Sequence, residues 1–157
     1  MNIEIWSVGK ENEPYIEEGI RYYFQKTRPY NAIDLILLQV PKKAATTDAE
    51  RAKKQEEELI LKKLLPQHYL ILLDEKGKQM NSIQWSKQFQ QLMNQGTKTV
   101  VILIGGAFGV TDEVKKRANQ CWSLSGLVFP HQLVRLIVAE QVYRSFSILN
   151  NSPYHHL

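Results

Sequence analysis

Apolar and polar positions alternate along the chain between two periods, one of strands and one of helices. Ile3, Ile5 and Val8 mark a short strand that Gly9 ends. Pro14 stands where helices often begin, and Ile16, Ile20, Tyr23 and Phe24 follow at i, i+4, i+7 and i+8, one face of a helix. Residues 33–40 (IDLILLQV) form a second strand, stopped by Pro41. The stretch 41–58 (PKKAATTDAERAKKQEEE) has no apolar period and predicts a mobile surface connection running into a helix. Thr47 and Glu50 make a capping box for that helix, in which only Leu59, Ile60, Leu64 and Leu65 are available to pack. Its charge run suits a solvated face, or an RNA-facing one.

Residues 69–73 (YLILL) are continuously apolar, the pattern of a strand buried on both faces of a parallel sheet, and residues 99–104 (TVVILI) form a further buried strand. The stretch DEKGK after the first predicts a turn. Trp85, Phe89, Leu92 and Met93 mark a helix face between the two strands. Thr111 or Asp112 caps a further helix through Arg117 and Ala118, and a short strand is expected around Ser123–Phe129 before a last helix. This order predicts an α/β fold, one domain over residues 1–157, with a mainly parallel sheet flanked by helices.

Composition narrows the picture. A chain of 157 residues buries roughly 70% of its unfolded surface, enough for a full core. Cys121 is the only cysteine, so no internal disulfide framework forms, and no metal-ligand spacing is present. The opening MNIEIWSVGK lacks the basic-then-apolar pattern of a signal peptide, and no run reaches the length of a membrane span, so a soluble cytoplasmic protein is expected. A net charge of +4 leans weakly towards a polyanionic partner.

In open α/β sheets ligands sit beyond the carboxyl ends of the strands. Three such ends carry glycine here: LLDEKG (72–77), LIGGAFG (103–109) and LSGLVFP (124–130). Each glycine alone suits a turn, while three such loops together favour a ligand pocket. The GGAFG segment has neither dinucleotide-fingerprint nor Walker spacing, and no serine or cysteine sits in a nucleophile context. In the last helix Glu140 and Arg144 are spaced for an ion pair. Arg135 lies among Leu133, Val134, Leu136, Ile137 and Val138, so it calls for a carboxylate, a phosphate or a subunit boundary.

Taken in order, VGK (8–10), Val40-Pro41, LDEKGK, LIGGAFG and the block LSGLVFPHQLVRLIVAEQVYRSFSILNNSPYHH resemble the SPOUT (trefoil-knot) methyltransferases. They are most similar to the family that methylates N3 of a pseudouridine in large-subunit ribosomal RNA. The resemblance implies a deep C-terminal trefoil knot, with a cofactor-binding part from about residue 70 to 157. It also implies an obligate homodimer, S-adenosylmethionine as cofactor, and a substrate in the assembled ribosome, with no metal and no membrane. Cofactor contacts carried over are Leu73, Asp74, Gly105, Gly106, Leu124, Ser125, Gly126, Leu127, Val128 and Phe129. His131, Arg135, Tyr154 and His155 are the catalytic candidates, to help N3 lose its proton and to stabilise charge on the flanking carbonyls. Tyr154 would stack on or hydrogen-bond to the base, His155 would act as base or donor, and the tail would reach the cofactor site. Two positions depart from the family pattern. His156 stands where a basic Arg or Lys is common, and Phe108 where a small or polar residue is. The alternatives are a SPOUT enzyme for transfer RNA ribose 2′-O-methylation and a non-catalytic ribosome-binding dimer.

Overall fold

The computed structural model describes residues 1–41 and 46–156. Residues 42–45 of the expected mobile connection lie outside the described residues. The elements in order are β1 (Asn2–Val8), α1 (Pro14–Thr27), β2 (Ala32–Leu38), α2 (Ala49–Lys63), β3 (Tyr69–Gln79), α3 (Ser82–Asn94), β4 (Thr99–Ile104), α4 (Asp112–Arg117), β5 (Gln120–Ser123) and α5 (His131–Leu149). The strands make one sheet in the order β2-β1-β4-β3-β5, every neighbouring pair parallel.

Both faces are covered, which is why the strands are apolar at consecutive positions. Ile3, Ile5, Ile71, Val100, Ile102 and Trp122 point towards α1, α3 and α5, where Ile16, Ile20, Phe89, Val138 and Phe146 meet them. Trp6, Leu70, Leu72, Val101 and Leu103 point the other way, onto Ile60 of α2 and Val114 of α4. No described residue of α5 is exposed, so charges on this helix must find partners within the fold.

Three local expectations are corrected. The N-cap of α2 is Asp48, whose carboxylate accepts from the Arg51 N–H at 2.9 Å, and Thr47 with Glu50 forms no box. Aspartate is as strong an N-cap as threonine, and one position later its short side chain reaches that orphan amide. The DEKGK segment is not a turn but the continuation of β3. A register shift between Leu73 and Lys78 carries the pairing with β5 past an irregular stretch. Gly77 makes this possible: a Cβ there would lie 2.6–2.7 Å from backbone atoms of Cys121 and Trp122. The last strand is Gln120–Ser123, and the apolar run after it is a loop leading to α5.

Candidate cofactor site

The loops after β4 and β5 and the continuation of β3 line a cavity of about 500 Å³ at the carboxyl ends of these neighbouring strands. That size suits a small-molecule ligand. Leu73 and Asp74 come from β3, Gly105 and Gly106 from the loop after β4, and Leu124, Ser125, Leu127, Val128 and Phe129 from the loop after β5; all nine line it. Gly126 shares the last loop without lining the wall. At the start of α5, His131 and Val134 close one side. The half-buried His131 has its pKa lowered, first by burial and then by the Arg135 charge, so its imidazole is neutral at pH 7.

Gly105 and Gly106 are closely fitted from behind. A Cβ on Gly105 would meet Val110 Cγ1 at 2.8 Å, and one on Gly106 would collide with the Glu56 carboxylate. That carboxylate is held above the usual carboxylate range by burial, and its Oε2 has no hydrogen-bond partner. The rest of the wall mixes apolar side chains with the polar groups of Asp74, Glu75, Ser123 and Ser125. Lys53, Lys76 and Lys115, together with Phe108, also stand at it. Nothing local marks Lys53 and Lys115 for this place: each sits in a charged helical run whose sequence resembles an ordinary solvated face.

Arg135 does not line the cavity. Its side chain is 1% exposed and meets neutral acceptors only: Nε donates to Ser7 Oγ at 2.7 Å, and Nη1 to the Lys10 carbonyl and to Asn12 Oδ1, both at 2.8 Å. No carboxylate or phosphate is needed, because the end of β1 supplies one oxygen and the β1–α1 turn two. Burial lowers the guanidinium pKa, yet arginine keeps its charge.

Tyr154 and His155 are also away from the cavity of their own chain. The Glu140–Arg144 pair closes at 2.6 Å, and the tail folds onto it. Tyr154 Oη donates to Glu140 Oε1 at 3.0 Å, its ring lies 4.6 Å from the Arg144 guanidinium, and Arg144 Nη1 donates to His155 Nδ1 at 3.0 Å. Burial, then the Glu140 hydrogen bond, raises the Tyr154 pKa far above the ordinary tyrosine range. Among the described residues there is no group of three or more His, Cys, Asp or Glu placed to hold a metal, and no helix is long and apolar enough to cross a membrane.

A parallel sheet with glycine-bearing loops around a cavity at the carboxyl ends of its strands is the arrangement in which α/β proteins hold small ligands. The model of the family described as "Predicted SPOUT methyltransferase" matches residues 1–155. Over 158 residues and 99% of both chains, the sequence is 39% identical to the ribosomal RNA large subunit methyltransferase H of Desulfitobacterium hafniense. It is 42% identical to the protein of the same name from Flavobacterium psychrophilum, over 156 residues and 99% of both chains. The chain therefore belongs to the SPOUT methyltransferases, in the family of these large-subunit ribosomal RNA enzymes. A probable methyltransferase from Bordetella pertussis shares the fold, with a TM-score of 0.57 at 10% identity over 92% of this chain and 94% of that one.

Proposed function

We propose that this protein transfers the methyl group of S-adenosylmethionine to N3 of a pseudouridine in large-subunit ribosomal RNA within assembled ribosomes. The observation that carries it is the convergence of the three glycine-bearing strand-end segments on a shared cavity, in a chain 39% identical over its length to a large-subunit ribosomal RNA methyltransferase. The cavity fits the cofactor: its glycine backbone admits a ligand closely, and Leu73, Leu124 and Leu127 offer an apolar slot for adenine. When bound, the cofactor supplies an already activated methyl on sulfur, so no metal is required.

The chain's own groups then have three tasks. The loops hold the reacting atoms in line, and orientation of this kind lowers a barrier by roughly 7–11 kcal/mol. We assign His131, neutral at pH 7 and at the cavity wall, to accept the N3 proton directly or through water. Arg135 is assigned a positioning role, since it ties the start of α5 to the β1–α1 turn. Tyr154 and His155 lie outside their own cavity, so we assign them to the cavity of a second copy in a homodimer. The whole chain acts as one domain, with the segment from about residue 70 onward tied in the family's trefoil knot, and it works in the cytoplasm with the ribosomes.

The test is methyl transfer from labelled S-adenosylmethionine to assembled ribosomes and to free ribosomal RNA, with mass mapping of the modified nucleoside. Label on a pseudouridine base in ribosomes, lost with His155→Ala, supports the reading. Tight cofactor binding without transfer to ribosomes refutes the substrate, and label on a ribose refutes the position.

A further inference from the structure

We propose that the mouth of the cavity is a docking platform for an unpaired stretch of RNA, on which Phe108 stacks against a base while Lys53, Lys76 and Lys115 receive neighbouring phosphates. The inference rests on the reading of the protein as an RNA methyltransferase and adds the residues that grip the strand.

The first observation is the loop that presents Phe108. The Gly109 N–H donates to the Gly106 carbonyl at 3.1 Å, closing a four-residue turn with Ala107 and Phe108 at its tip. Gly109 has φ +81°, a conformation that side chains other than glycine rarely adopt. From behind, Val110 is packed on Gly105 and the Glu56 carboxylate on Gly106. The turn is thus braced, and it holds a phenyl ring 47% exposed at the cavity. In the following loop Leu127 and Val128 are 72% and 89% exposed, so the rim presents apolar surface on two sides. The large aromatic side chains that the core uses, Trp6, Phe89, Trp122 and Phe146, are buried almost completely.

The second observation is charge. Lys53 comes from α2, Lys76 from β3 and Lys115 from α4, yet all three stand at one cavity. Asp74 and Glu75 share the wall, with Asp74 Oδ1 accepting from the Lys76 backbone N–H at 2.8 Å. Lys53 approaches Glu50 at 3.9 Å, and that carboxylate is largely exposed, so the pairing is weak. The cofactor assigned to this cavity carries a sulfonium, an ammonium and one carboxylate, and no phosphate. With Asp74 and Glu75 set against the three lysines, the cavity with cofactor bound keeps a net positive charge, which a polyanionic strand would offset. An aromatic ring held among cations is the chemistry that binds single-stranded nucleic acid, stacking a base while the cations follow the backbone.

The experiment uses the full chain with Phe108→Ala, Phe108→Trp and single Lys→Gln variants at positions 53, 76 and 115. Affinity for an unstructured oligouridylate is measured by fluorescence anisotropy across a salt series. The ribosome KM, the S-adenosylmethionine dissociation constant and the oligomeric state are followed in parallel. Phe108→Ala is expected to weaken RNA binding on the order of ten-fold, with Phe108→Trp restoring it. Each Lys→Gln is expected to flatten the slope of log affinity against log salt by about 0.7. Cofactor affinity and oligomeric state should be retained. Unchanged RNA affinity overturns the proposal. So does a loss that tracks cofactor affinity, which would make Phe108 a cofactor wall, or one that tracks oligomeric state, which would make the patch a contact between copies. Wild-type protein that methylates ribosomes while Phe108→Ala is silent sinks this inference alone. Phe108-dependent RNA binding without ribosome methylation sinks the substrate assignment alone.

Discussion

Ser7→Ala tests how a buried cation is stabilised without a counter-ion. Ser7 lies on β1 with no exposed surface, and its hydroxyl accepts from Arg135 Nε at 2.7 Å. Removing that oxygen leaves a charged N–H buried with nothing to meet it, a loss of about 1.5–3 kcal/mol for a hydrogen bond to an ionised group. The Nη1 bonds to Lys10 and Asn12 remain, so the variant should fold with stability lower by about 2 kcal/mol. In an Arg135→Met background the serine hydroxyl has already lost its partner, and the same substitution should be neutral or slightly stabilising. Arg135→Met itself should cost less than three hydrogen bonds suggest, because it also removes a cation from a buried site. The assay is urea unfolding of the two single variants, the double variant and the parent. Protein concentration is held fixed, because any dimerisation would otherwise shift the midpoint. Equal m-values would confirm that the same transition is compared. A coupling energy below about 0.5 kcal/mol, the ordinary scatter of additivity, would refute the claim that the Ser7 hydroxyl stabilises this charge.

Glu56→Gln should raise thermal stability at neutral pH by about 1 kcal/mol, since it replaces a carboxylate whose Oε2 is buried and unpartnered. Burial raises the folded pKa of Glu56, so the native state holds this proton more tightly than the unfolded chain. Its contribution is most favourable below the unfolded pKa and is lost as pH rises through the folded one. The advantage of glutamine should therefore shrink on acidification, and a pH-independent difference between the melting curves would argue against this. Gly77→Ala should cost more than about 4 kcal/mol or prevent folding, because the new methyl meets immovable backbone of Cys121 and Trp122. Gly126→Ala, with nothing within 4 Å, should be nearly silent in the same unfolding assay. Absorbance titration of the Tyr154 phenol should show ionisation well above the usual tyrosine range, and Glu140→Gln should bring it down without fully normalising it, because burial is the larger cause. With its folded pKa raised, Tyr154 leaves stability intact below the unfolded pKa and lowers it at more alkaline pH. A phenol that ionises normally in the folded parent would contradict the Glu140 contact.

The parts of this architecture that were legible in the sequence are those where one local pattern has one physical cause. Residues 69–73 and 100–104 are apolar at consecutive positions because β3 and β4 are interior strands covered on both faces. The same rule misplaces β5. Leu124, Leu127, Val128 and Phe129 are apolar because they wall a cavity or face outward at its rim, and a hydrophobicity pattern cannot separate that from burial in a sheet. The continuation of β3 through DEKGK fails in the opposite sense. An exposed, polar, irregular strand has no apolar alternation to reveal it, and its pairing depends on backbone atoms of Trp122 approaching Gly77. The strand-end rule finds the cavity loops, since it is a property of topology. It cannot find Lys53 and Lys115, which reach the cavity from helices on the far face of the sheet.

Helix α5 shows why polar residues within an apolar run resist a single explanation. The sequence correctly pairs Glu140 with Arg144, because those residues are one helical turn apart and local spacing decides the matter. For Arg135 it asks for an anion, and the structure answers with neutral oxygens from Ser7, Lys10 and Asn12, more than 120 residues away in the chain. A helix on which no residue is exposed has little solvent face on which to place spare charge. Each ionic group must therefore be stabilised by whatever element packs against it. For Arg135 that element is the β1–α1 turn beside the start of α5; for Arg144 it is Glu140 and the C-terminal tail. The two arginines occupy one helix but bind different parts of the fold. Loss of Arg135 should consequently register first as lost stability, whereas loss of Arg144 should first release Tyr154 and His155, the groups proposed to serve the cavity of a second copy.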